Sequence, residues 1–209
     1  MWSVPRMWPG ETCAVLASGS SMTQEVADTV RAAGIRSIAV NTTFKRAPRA
    51  DMVYAADEAW WKYHKAELML YAGLKVMCTP TAMPNMCAPF PGIHVLRNTG
   101  RDGFDPNPAH IRTGNNSGYQ AIHVAVHAGC SRVLLCGFDM HGGNWHGRHP
   151  EPLREHGNDY SAWFPMFETL HKELQERGVE VLNCTPRSAL KCFPMADLKD
   201  VLACSVLAA

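Results

Sequence analysis

The chain has 209 residues, with 20 Lys and Arg against 19 Asp and Glu, for a net charge of +1. Hydrophobic residues make up 46%, enough for a core, so this is neither a disordered chain nor one whose overall field would hold a polyanion. The length suits one domain spanning 1–209, and no apolar run reaches the length of a membrane span.

Strand and helix patterns alternate along the chain. Residues 12–17 read as a buried strand, Gly19-Ser20-Ser21 as a turn, and 23–33 as a helix stopped by Gly34. A second strand over 35–40 ends at Asn41, and a third covers 52–56. One helix is expected over 57–71, then a strand over 74–78. Residues 79–112 carry six prolines, which forbid long helices and central strands. This segment is expected to be an irregular excursion with one short strand near 93–96. A helix over 117–128, a strand over 132–136, a His-rich and Gly-rich loop over 137–158, a helix over 160–177, a strand over 179–183 and a terminal helix over 196–203 complete the pattern.

Such alternation predicts a Rossmann-like, three-layer α/β sandwich around a mostly parallel sheet. In sheets of this kind, ligands bind beyond the carboxyl ends of the strands, where the strand order reverses. The candidate positions are therefore the segments that leave the strands. Ser18-Gly19-Ser20-Ser21 lies between a strand and a helix, where glycine allows close backbone approach and free N–H groups favour an anion. Capping by Ser20 or Ser21 is the structural alternative. Asn116-Ser117-Gly118 opens a later helix and offers a second such turn, so a ligand with both a phosphate and a ring would find two cradles. Ser117 is not in a G-x-S-x-G elbow, which argues against a nucleophilic serine.

The loop after residue 136 holds His141, His146, His149 and His156, with Asp139 directly behind the strand. Histidine suits proton transfer near neutral pH. The readings left open are a general base, a substrate-orienting loop and a metal site, and the histidine spacing matches no zinc pattern. Trp60 and Trp61 read mainly as packing residues, with stacking on a ligand ring as the alternative for one of them. His123 and His127 read as partly buried helix residues. Eight cysteines with no C-x-x-C pair point to a reducing compartment without disulfides. Without an apolar leader after a basic start, a cytoplasmic location is expected.

Several segments together resemble a family of small proteins encoded by tailed phages and prophages. They include Trp8-Pro9-Gly10-Glu11, Asn41-Thr42-Thr43, Trp60-Trp61, Asn116-Ser117-Gly118-Tyr119, Gly137-Phe138-Asp139, Trp145-His146-Gly147 and Asn183-Cys184-Thr185-Pro186. The order of motifs also resembles, more distantly, bacterial lipooligosaccharide sialyltransferases that use a CMP-sugar donor, and pterin-diphosphokinase-like proteins. On that resemblance Gly19, Ser20, Ser21, Asn41, Ser117 and Gly118 hold the nucleotide, and Thr185 and Ser188 stand in the segment after the last strand. His141 takes the place of a tyrosine that assists the departing phosphate. The catalytic histidine falls on His146, His149 or His156.

The resulting expectation is a glycosyltransferase-like enzyme using a nucleotide-activated donor such as a nucleotide-sugar, needing no cofactor and no metal. One alternative is an Mg²⁺-dependent phosphoryl or diphosphoryl transferase, with Asp57 and Asp139 holding the ion. Another is a non-catalytic phage accessory protein that binds a nucleotide. A homo-oligomer is left open, and no nucleic-acid partner is indicated.

Overall fold

The computed structural model describes residues 1–80, 83, 87–151, 153 and 159–206, the last three by backbone alone. Eight strands form one parallel sheet: β1 (Thr12–Leu16), β2 (Arg36–Val40), β3 (Met52–Tyr54), β4 (Leu74–Cys78), β5 (Ile93–Gly100), β6 (His110–Arg112), β7 (Arg132–Cys136) and β8 (Glu180–Asn183). Their order is β6-β5-β4-β3-β2-β1-β7-β8. The chain builds outward from β1 to β6, then returns to the other side of β1 to place β7 and β8. The order therefore reverses between β1 and β7, and the crevice expected for a ligand lies at their carboxyl ends.

Among the described residues, six α-helices cover the two faces: α1 (Gln24–Ala32), α2 (Glu58–Tyr63), α3 (Lys65–Met69), α4 (Ser117–His127), α5 (Tyr160–Glu176) and α6 (Leu198–Val206). Alternation along the strands sets which residues meet which helices. Cys13, Val15, Ile38, Val40, Val133 and Leu135 point to one face and pack with Tyr119, Ile122 and Phe167 of α4 and α5. Ala14, Leu16, Leu134 and Cys136 point to the other face and meet Ala27 and Val30 of α1 and Leu198 and Leu202 of α6. Further along that second face, Ala39, Val53 and Met77 pack with Trp60, Trp61 and Leu68 of α2 and α3. Both faces are thus covered, as an all-parallel sheet requires. No described helix is long and apolar enough to cross a membrane.

Three expectations change in detail. The helix expected over 57–71 is broken into α2 and α3 at His64, which leaves the α conformation (φ −89°, ψ 11°) and whose Nδ1 lies within hydrogen-bond distance of Glu67 Oε2, at 2.7 Å. The excursion over 79–112 is less irregular than its prolines suggest. Residues 93–100 contain no proline, so β5 runs for eight residues, and β6 follows Pro106 and Pro108 at the sheet edge. Proline excludes strand structure only where the ladder needs its N–H, and here the prolines flank the strands. The sheet is parallel throughout, because every link between neighbouring strands crosses over. The seven described cysteines are free thiols.

Candidate functional site

The strand-order reversal holds a cavity of about 170 Å³. Four chain segments line it: Ala17-Ser18-Gly19 after β1, Asn41 after β2, Asn116-Ser117-Gly118 at the start of α4, and the loop after β7 from Gly137 to His149. Tyr160 and Trp163 of α5 close one side. Of the two polar turns singled out in the sequence, Ser18 and Gly19 of the 18–21 turn and all of 116–118 therefore face one space.

The backbone around this space is unusual. Asn41 (φ 51°), Asn115 (φ 51°) and Met140 (φ 54°) all take the left-handed conformation, as does Arg187 (φ 56°) just behind. Each sits where the chain leaves the carboxyl edge of the sheet. Asparagine accepts this region at low cost, whereas Met140 bears the steric penalty of its β-carbon. Strain concentrated at one sheet edge is typical of sites whose geometry the surrounding fold imposes.

The N-terminus of α4 opens on this space. Asn116 caps it, its side chain accepting from Tyr119 N–H at 3.1 Å. The N–H groups of Ser117 and Gly118 belong to the first turn, which has no carbonyl within the helix to receive them. Both residues line the cavity, so an anion there meets two donors and the positive end of the helix. No Lys or Arg is among the described lining residues.

The 19–21 turn is built differently from its sequence reading. Asp139, only 4% exposed, reaches into it from the β7 loop. Its carboxylate accepts from Ser20 Oγ (3.2 Å), Ser21 N–H (3.1 Å) and Ser21 Oγ (2.7 Å). The anion seated in this turn is thus the protein's own side chain, and Ser20 and Ser21 lie outside the cavity lining. Gly19 is required there because a β-carbon would overlap the Asp139 carboxylate. Gly19 also donates to Gly137 O at 2.9 Å and pairs with Asn144, tying the β1 and β7 loops together.

Thr185 and Ser188 are fully buried behind the β7 loop. Thr185 Oγ1 accepts from Phe138 N–H at 2.9 Å, and Ser188 Oγ donates to Phe138 O at 2.5 Å. Both brace the loop that carries Asp139 and do not reach the cavity. Asp57 caps α2 by accepting from Ala59 N–H at 2.8 Å, and it is not among the cavity residues. The two carboxylates considered for Mg²⁺, Asp57 and Asp139, are therefore not brought together in this cavity. No group of three His, Cys, Asp or Glu side chains among the described residues is placed to hold a metal ion.

Of the loop histidines, His141 and His149 line the cavity. His141 Nε2 lies 3.2 Å from Arg187 O. A carbonyl can only accept, so this contact needs the proton on Nε2, and in a neutral ring the lone pair would then lie on Nδ1. His146 stands beside His149, the ring centres 4.6 Å apart, and against Trp145. His156 lies outside the described residues. Cys184 is pushed up to about 12 by burial and by the nearby Asp197, which removes it as a nucleophile.

Two further residues, Thr43 within the Asn41-Thr42-Thr43 segment and Arg46, take roles that the sequence did not assign. Thr43 is a hydroxyl hub: it donates to Ala17 O at 3.0 Å, lies 3.2 Å from Ser18 Oγ, and accepts the Trp145 indole N–H at 3.2 Å. The Arg46 guanidinium stacks on the Trp145 ring at 3.9 Å. The buried Thr42-Thr43 pair directly after β2 was the available signal, since polar residues at a strand end need partners. Trp60 and Trp61 are both buried, their indole N–H groups donating to Thr42 Oγ1 and Ala55 O, so both serve packing. No family model matches the chain, and no curated protein matches it.

Proposed function

We propose that the protein binds a nucleotide-activated donor at the α4 N-terminus and transfers its activated group, as a glycosyltransferase-like enzyme. The observation that carries this reading is the single cavity at the strand-order reversal, shared by 17–19, Asn41, 116–118 and the β7 loop. A donor phosphate would sit on the Ser117 and Gly118 N–H groups, which need no reorganisation as charge builds on the leaving group. The Phe138, Tyr160 and Trp163 rings lining the same cavity offer apolar surface for a base or sugar.

In the transfer step, an acceptor hydroxyl attacks the activated carbon, the bond from that carbon to the phosphate oxygen breaks, and the hydroxyl proton passes to an imidazole. His141, whose Nε2 faces Arg187 O and leaves Nδ1 as the nitrogen to take the proton, and His149 are the two described histidines in position. The nucleotide leaves with the bonding electrons, held by the helix terminus. The resemblance to CMP-sugar-dependent sialyltransferases agrees with this chemistry.

Isothermal titration of the purified chain against cytidine, uridine, guanosine and adenosine phosphates and their sugar conjugates tests the reading. At least one is expected to bind. Ser117→Pro would remove one N–H donor at a position where helices accept proline, and should weaken that binding about tenfold. His141→Asn and His149→Asn should leave binding intact, and at least one should abolish turnover. Absence of binding across the whole panel would overturn the proposal.

A further inference from the structure

A second cavity, about 310 Å³, lies on the opposite side of the β1–β2 edge, between α1 and the segment 46–51. Its floor is apolar: Leu16, Ala27, Val30, Ile35 and Ala47 line it. Its size is within the range of small-ligand pockets. Its rim carries three arginines and two aspartates, and their pairing decides what it attracts. Asp28 pairs with Arg31 at 3.2 Å. Asp51 pairs with Arg36 at 3.3 Å and also accepts the Ser37 N–H at 2.8 Å. Both acids are thus already neutralised.

Arg46 and Arg49 remain. Neither has a carboxylate partner among the described residues. Arg46 is half-buried, donates to Met22 O and stacks on Trp145, while Arg49 is exposed. Burial lowers the Arg46 guanidinium from its ordinary value, with no acid nearby to offset the loss of water. An anion arriving here would supply the missing partner. Three arginines against two aspartates leave the rim with one net positive charge, so the matching charge is a single negative one.

We propose that this cavity binds a small amphipathic monocarboxylate, with its apolar body on the Leu16–Val30 floor and its carboxylate between Arg46 and Arg49. The same contact would report to the first cavity. Arg46 stacks on Trp145, whose backbone N–H donates to Ser18 O at 2.9 Å and whose indole donates to Thr43 Oγ1. Ser18 and the loop around Trp145, from Gly143 to His149, border the candidate site. Trp145 also packs on the same apolar cluster as Leu16, Ala27 and Val30. A carboxylate that draws Arg46 off the indole shifts the segment that carries His149. The inference stands apart from the transferase reading, because it concerns a different cavity and is read by binding alone.

The probes are hexanoate and its uncharged counterpart hexan-1-ol, titrated calorimetrically into the full chain. Hexanoate is expected to bind one to one, at least about tenfold more tightly than the alcohol. Arg49→Gln should weaken hexanoate about tenfold with an unchanged melting temperature, since Arg49 is exposed and its side chain forms no hydrogen bond or ion pair with the described residues. In ¹H–¹⁵N spectra, the Trp145 indole N–H signal, assigned by Trp145→Phe, should shift with hexanoate. In Arg46→Lys, which keeps the charge and loses the planar stack, it should stay still while hexanoate still binds. Absence of saturable hexanoate binding, equal binding of the alcohol, or full binding by Arg49→Gln would overturn the site. Binding that leaves the Trp145 signal unmoved would overturn its link to the loop.

Discussion

Asp139 illustrates how one side chain can stand where a ligand was expected. A turn of the form Gly-Ser-Ser after the first strand offers N–H and hydroxyl donors, and the fold supplies an anion to it from the neighbouring loop. That closure has a direct consequence at Gly19. Gly19→Ala would drive a β-carbon into the Asp139 carboxylate and against Gly137 O, neither of which can retreat without losing its own hydrogen bonds. The expected cost is about 2–4 kcal/mol, read as a lower urea midpoint with an unchanged slope. A stability equal to the wild type would mean that the two loops are not locked together. The acid, the glycine and both serines are all visible in the sequence. Their mutual contact was not, because 118 residues separate Ser21 from Asp139 and nothing local signals the pairing.

At the scale of elements, α4 does two jobs. Its body fills the face over β1, β2 and β7, with Tyr119, Ile122 and Val124 buried, while its first turn opens on the cavity. Asn116 holds that first turn in place, so Asn116→Ala should destabilise the protein by about 1 kcal/mol. Fraying should be local, seen as faster amide exchange at Tyr119 than at Val124. Uniform exchange along the helix would contradict the capping role. The start of this helix was legible in advance, because helix starts are decided within a few residues. The lengths of β5 and β6 were not legible: proline density over a window hid the proline-free stretch 93–100. The break between α2 and α3 was equally hidden. There His64 is held by Glu67 on one side and by the Trp60 and Phe44 rings on the other.

At the scale of the molecule, the long return from β6 to β7 is cemented by a buried aromatic and imidazole cluster. Phe104 stacks on His123, with ring centres 4.8 Å apart, and His127 Nε2 lies 3.1 Å from His110 O. Burial, with a smaller contribution from His127, pushes His123 down to about 3, and burial pushes His127 down to about 4. In the unfolded chain both would titrate near 6.5. The unfolded state therefore binds more protons between these limits, and linkage makes stability rise with pH there. Full stability is expected above pH 6.5, with a progressive loss as pH drops through 6 and 5 toward the folded values. His123→Phe should flatten that loss, by up to about 1.4 kcal/mol per pH unit over the window, as measured by urea denaturation at each pH. A pH profile identical to that of the wild type would show that His123 does not stay neutral in the folded protein.

Read alone, the sequence determined the layered α/β architecture, the position of most strands, and the fact that polar turns gather where strands end. Those features follow from periodicity, capping and glycine placement, which act over a few residues. Only the tertiary structure decided the strand order, with β7 returning beside β1, and so which turns share a cavity. It alone directed Asp139 into the Ser20–Ser21 turn, withdrew Thr185 and Ser188 behind the loop, and set Arg46 on Trp145 between two cavities. These are contacts between segments far apart along the chain. Packing and hydrogen-bond satisfaction over the whole sheet select them, and no local pattern encodes them.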